Sequence, residues 1–92
     1  MLFMVIESFK PGRAPQVYRR FKEKGRMAPA GVRYLSRWVD LEFERCFQVM
    51  EADQMSLLEE WMSHWKDLVE FEVIPVRSSA DAAKLMADPG PL

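Results

Sequence analysis

The sequence predicts an α+β domain: a four-stranded antiparallel sheet with two helices on one face. Three observations predict it. The chain has 92 residues, the length of a single small domain. Its apolar residues recur in six segments, in the order strand, helix, strand, strand, helix, strand. The two middle strands stand so close together that a β-hairpin is the natural connection.

The first strand is Leu2 to Glu7, rich in strand formers and ended by the turn signal Lys10-Pro11-Gly12. Pro15 suits the first turn of a helix. Val17, Tyr18 and Phe21 then make its buried face, Arg19, Arg20, Lys22 and Glu23 fill the other side, and Gly25 is a plausible stop. A loop containing Pro29 leads to a strand from Val32 to Asp40. Strict alternation would put Val32, Tyr34, Ser36 and Trp38 on one side of it and Arg33, Leu35, Arg37 and Val39 on the other. Leu41 to Glu44 make the hairpin turn. The third strand, Arg45 to Glu51, turns Arg45, Phe47, Val49 and Glu51 one way and Cys46, Gln48 and Met50 the other. Asp53 or a neighbour caps the next helix, in which Leu57, Leu58, Trp61, Met62 and Trp65 form the clearest helical stripe of the chain. Val69 to Val76 is the last strand, and Pro75 marks it as an edge or an end. The domain spans residues 1–77. Residues 78–92 add a short helix from Ser78-Ser79-Ala80-Asp81 through Met86 and a frayed tail at Asp88-Pro89-Gly90-Pro91.

This order is the ferredoxin-like βαββαβ arrangement. Its strands carry apolar residues on both sides, so both sheet faces need cover. A second copy of the same sheet, related by a two-fold axis, is the simplest cover for the face without helices. The composition agrees: 49% of the residues are hydrophobic and 12% aromatic, a heavy load for so thin a core.

Net charge is −1 but unevenly spread. From Lys10 to Arg37 nine Lys or Arg face a single acid, Glu23, a net of +8; the remainder holds four basic and thirteen acidic residues, a net of −9. Such asymmetry fits one region pairing with the other, or an anion site. No nucleic-acid-binding motif accompanies the basic run, so no nucleic-acid partner is expected. Met1 to Ile6 is too short to cross a bilayer, has no basic leader, and is followed at once by Glu7, so no membrane association is expected. Cys46 is the only cysteine, so no intrachain disulfide forms, which fits a reducing cytoplasm.

The stretches Val17-Tyr18-Arg19-Arg20-Phe21, Gly25-Arg26-Met27, Arg45-Cys46-Phe47-Gln48-Val49-Met50-Glu51, Trp61-Met62-Ser63-His64-Trp65 and Phe71-Glu72-Val73-Ile74-Pro75-Val76 resemble DUF3303, a family of short bacterial proteins of unknown function. The resemblance covers roughly residues 1 to 77. It implies a dimeric α/β barrel and brings no established reaction. Family members often carry Pro where this chain has Met55.

Several side chains are candidates for chemistry. His64, the only histidine, lies at the border of the second helix stripe with Glu60 one turn earlier. It is a general base at a cavity mouth, or a boundary residue satisfied by water or Glu60. Cys46 sits mid-strand, where nothing lowers a thiol pKa, and reads as a small buried apolar residue that borders the ligand. Gln48 is an amide among apolar neighbours and needs partners, so it holds a ligand carbonyl or hydroxyl or makes a structural hydrogen bond. Ser36 and Trp38 become its neighbours if the hairpin register allows; a one-residue slip would remove them. Trp61 and Trp65 are core or the wall of a cavity for a flat apolar ligand. Arg33 and Arg37, on one strand face, bind a carboxylate or phosphate or pair with Glu70 or Glu72. No metal-ligand spacing, glycine-rich phosphate loop or Ser-His-Asp signature is present, so no metal and no cofactor are expected.

The expected protein is therefore a homodimer that binds a small apolar or carbonyl-containing molecule between its sheets. Two alternatives stand beside it: a cofactor-independent enzyme, of oxygenase or isomerase type, with His64 as base, and an interaction domain without a ligand.

Overall fold

Alternation in the first strand decides where the core lies. The computed structural model describes residues 1–87. Its elements are β1 (Leu2–Phe9), α1 (Ala14–Lys24), β2 (Val32–Val39), β3 (Arg45–Ala52), α2 (Met55–Ser63), β4 (Val69–Val76) and α3 (Ser79–Ala87). In β1, Phe3, Val5 and Glu7 are buried while Leu2, Met4 and Ile6 stay partly exposed, a period of two that puts one face inward. The sheet order is β2-β3-β1-β4, with β1 antiparallel to both β3 and β4. This is the ferredoxin-like arrangement, with Pro75 on the edge strand β4.

One continuous core joins the inward face to α1 and α2. Phe3, Val5, Met50, Ala52 and Val69 from the sheet meet Val17 of α1, Leu58 and Trp61 of α2, and Trp65 beyond it. Pro15 opens α1, and Gly25 ends it at φ 69, donating its N–H to the Phe21 carbonyl at 2.8 Å. Gly31 stands where α2 approaches the loop before β2. Its φ is +92, and a Cβ there would lie 2.8 Å from Leu57 Cδ1, so only glycine fits.

The cap of α2 is Gln54, the neighbour of Asp53, in an extended conformation (φ −144, ψ 147). The Asp53 N–H donates to the Gly31 carbonyl at 3.2 Å. The helix also stops at Ser63, short of the full apolar stripe. Trp65 lies in the following turns, where its N–H reaches the Met62 carbonyl at 2.9 Å and Val69 N–H reaches the Trp65 carbonyl at 3.1 Å. The chain turns there to bury Leu68 and Val69 at the start of β4, and Trp65 keeps its place in the core without being helical.

The largest departure from simple alternation is in β2. Its ladder with β3 pairs Tyr34 with Met50 and then Ser36 with Val49, leaving Leu35 as an extra residue. Such a bulge inverts the sidedness of everything after it. Before the bulge, Val32 and Tyr34 share the helix side with Ala52 and Met50. After it, Arg37 and Val39 do so, opposite Gln48 and Cys46. Ser36 and Trp38 are carried to the open face, opposite Val49 and Phe47. The open face is thus apolar along its middle, with Met4, Ile6, Phe47 and Val49 flanked by Ile74 and by Trp38, which is 70% exposed. The second helix of the C-terminal region, α3, buries no residue. The expected frayed tail at Asp88–Pro91 lies outside the described residues.

Candidate functional site: a cleft between sheet and helices

Four polar side chains meet on the helix side of the sheet, among mostly apolar neighbours. β1 brings Glu7, β3 brings Cys46 and Gln48, and β2 brings Arg37. Glu7 pairs directly with Cys46, and Gln48 is one step diagonal to it, opposite Val5. Gln48 Nε2 donates to Glu7 Oε2 at 2.8 Å. Arg37 Nη2 stands 3.8 Å from the same oxygen, and Arg37 Nε donates to Cys46 Sγ at 2.9 Å. Among the described residues, no buried side-chain nitrogen or oxygen is left without a partner.

Burial governs the titration of this group. Glu7 is 3% exposed, and loss of water pushes its carboxyl above the usual carboxylate range, against the pull of the Arg37 charge and the hydrogen bonds from Cys46 and Gln48. Burial likewise pushes the Cys46 thiol up to about 12, although Arg37 opposes the rise, so the sulfur stays protonated at neutral pH and is no nucleophile. Of these groups, Glu7 is the carboxyl that burial shifts toward its protonated form. Beside it, Gln48 and Arg37 supply donors for a carbonyl oxygen.

Above this floor stand Trp61, Trp65, Val17 and Phe21, with Arg26 at the rim. The cleft they enclose is about 20 Å³, room for about one water. The two indole N–H groups both donate to the Arg26 carbonyl, at 3.0 Å and 3.0 Å, which occupies both lone pairs of that oxygen and pins the loop to the core. Met27, at φ 59, turns the chain away immediately afterwards. The Arg26 guanidinium lies 3.5 Å from the centre of the Tyr34 ring and 5.4 Å from that of Phe21.

The family described as a domain of unknown function, DUF3303, matches residues 1–89. The chain belongs to that family. No curated protein matches it. Among solved structures it is similar to an uncharacterized NIPSNAP domain protein from Burkholderia xenovorans, with a TM-score of 0.51 and 11% identity, over 86% of this chain and 97% of that one. It also matches a putative antibiotic biosynthesis monooxygenase from Deinococcus radiodurans, with a TM-score of 0.47 and 12% identity, over 86% of this chain and 95% of that one. At these identities the first likeness speaks to the fold alone.

In this DUF3303 chain the cleft brings together four of the residues singled out in the sequence, Gln48, Arg37, Trp61 and Trp65, with Cys46 beside it as the acceptor of the Arg37 bond. Their face is covered by the chain's own helices, so Gln48 does not point toward a second sheet. The bulge sets the others apart. Ser36 and Trp38 lie on the opposite face from Gln48. Arg33 is separated from Arg37 and pairs with Glu51 across the hairpin, and Arg37 is near Glu7; neither arginine pairs with Glu70 or Glu72. His64 is exposed at the C-terminus of α2 and does not line the cleft, while its carbonyl accepts from Arg20 Nη1 at 2.8 Å. The same guanidinium grips Asp67 with two bonds of 2.8 Å and pulls that carboxyl down to about 2. The three ion pairs among the described residues, from Arg20, Arg33 and Arg37, each join the basic stretch to an acid outside it. Three of the nine basic residues of that stretch are thus used in packing.

Two residues of the cleft escape a reading by motif. Glu7 carried a signal: it continues the alternation of Phe3 and Val5 and so had to face inward. Arg26 carried none beyond its place in a basic run. Among the described residues no three His, Cys, Asp or Glu side chains come together as metal ligands, and no helix is long and apolar enough to cross a membrane.

Proposed function

We propose that this protein is a homodimeric small-molecule-binding domain. Its ligand is compact and apolar, carries a carbonyl or hydroxyl, and lies in the cleft between sheet and helices. One observation carries the reading: a carboxyl 3% exposed, set in a wall of tryptophans, whose nearest cation stands 3.8 Å away. Burying an ionisable group costs several kcal/mol unless it is closely paired, roughly the whole margin of a small domain. Perturbed groups of this kind concentrate at functional sites. A ligand larger than water requires Phe21, at the rim, to swing outward.

The three tryptophans report on the site independently, because Trp61 and Trp65 line the cleft and Trp38 lies on the far face. Titration with acetophenone, followed by the indole N–H signals in a proton–nitrogen spectrum, is expected to shift Trp61 and Trp65 saturably and leave Trp38 in place. Gln48→Leu is expected to weaken binding roughly 5- to 10-fold, the worth of about one hydrogen bond. Shifts confined to Trp38, or none at all, would remove the cleft as the binding site.

The dimer rests on the open face. Its row of Met4, Ile6, Phe47 and Val49 gains from contact with an equally apolar surface, and a second copy offers one under two-fold symmetry. Sedimentation velocity at micromolar concentration is expected to give a dimer, and Val49→Arg a monomer. A wild-type monomer would overturn this half of the proposal.

A further inference from the structure

We infer that the ligand of the cleft is an organic monocarboxylate, held by its anionic end at the rim against Arg26. This rests on the binding function proposed above and adds the chemical class of the ligand. The basic stretch from Lys10 to Arg37 is matched by acids at Arg20, Arg33 and Arg37, yet the Arg26 side chain has no hydrogen-bond or ion-pair partner among the described residues. It is not a wandering surface cation, because its residue is held at both ends. Two tryptophans grip its carbonyl at 3.0 Å and 3.0 Å, and the Tyr34 ring supports its guanidinium at 3.5 Å.

Stacking occupies the faces of a guanidinium and leaves its edge free. That edge is a planar fork of N–H donors whose spacing matches the two oxygens of a carboxylate. Arg26 is therefore preorganised for a bidentate contact. The body attached to such a carboxylate would run inward between Trp61 and Trp65 toward Gln48. The lining charges agree: Arg26 and Arg37 stand against Glu7 alone, and burial shifts Glu7 toward its neutral form. Of the two lining cations only Arg26 is without a hydrogen-bond or ion-pair partner among the described residues, which matches one carboxylate rather than two.

Benzoate and acetophenone test this inference, since they share a ring and nearly a shape but differ in charge. Both are titrated into wild type and Arg26→Gln, with the Trp61 and Trp65 indole signals as readout and a thermal melt to establish that the variant is folded. Wild type is expected to prefer benzoate by about tenfold or more, the worth of a charge-assisted hydrogen bond. In Arg26→Gln the preference is expected to fall to near unity. Added salt is expected to weaken benzoate more than acetophenone in wild type, which tests the ion contact even if the variant fails to fold. Equal affinity of the two probes in wild type, or a preference that survives in Arg26→Gln, would overturn the monocarboxylate while leaving the binding cleft intact. No shift with either probe would overturn both.

Discussion

Trp61→Ala is expected to lower stability by about 3–5 kcal/mol, the range for removing a buried aromatic ring from a core. Trp61 is 4% exposed and packs edge-to-face on Phe71, with ring centres 5.5 Å apart. Its loss opens a void beside Leu58 and Val5 and also releases one of the two bonds to the Arg26 carbonyl. For a domain this size each kcal/mol moves the melting temperature by about 4–8 °C, so the melt falls by well over ten degrees. Trp61→Phe separates the two contributions. It keeps most of the ring, and the Arg26 carbonyl keeps its bond from Trp65, so it is expected to cost about 1–2 kcal/mol. Urea denaturation measures both. A Trp61→Ala loss near that of Trp61→Phe would mean that the ring is not a structural part of the core.

Glu7→Leu is expected to cost about 3 kcal/mol at neutral pH, the top of the range for leaving buried polar groups unmatched. The Gln48 amide loses its acceptor and the Arg37 guanidinium its only nearby carboxyl. Glu7→Gln keeps the shape and an acceptor oxygen, costs less, and isolates the proton. Because burial raises the Glu7 pKa above its ordinary 4.5, the folded state holds that proton more tightly than the unfolded chain does. Stability contributed by the protonated form is therefore full below about pH 4.5 and falls as pH rises to the folded pKa, at up to about 1.4 kcal/mol per pH unit. Chemical denaturation across pH is expected to show wild type losing stability relative to Glu7→Gln through that window and running parallel above it. Parallel curves throughout would mean that Glu7 is not desolvated.

Most of the fold was legible because the information is local and periodic. Gly25 ends α1 where a left-handed residue was needed, and β4 runs from Val69 to Val76 as its composition indicated. Alternation in β3 correctly put Cys46, Gln48 and Met50 on one side. The errors share a cause, namely that the deciding contact is distant in sequence. No feature of Tyr34-Leu35-Ser36 announces an extra residue; the bulge exists only in relation to β3. His64 stood out by chemistry alone, whereas Glu7 became conspicuous only once its strand had neighbours. The grip on Arg26 joins residues 35 and 39 positions apart, beyond the reach of any spacing rule.

The extra residue at Leu35 also shows that this strand absorbs a change in chain length without exchanging its two faces. A chain lacking Leu35 would pair Tyr34, Ser36 and Arg37 with Met50, Val49 and Gln48 in unbroken alternation, so Arg37 would stay beneath the helices and only the local bend would be lost. Within this fold, then, one outer strand can carry an additional codon while its interior residues keep their partners on the neighbouring strand.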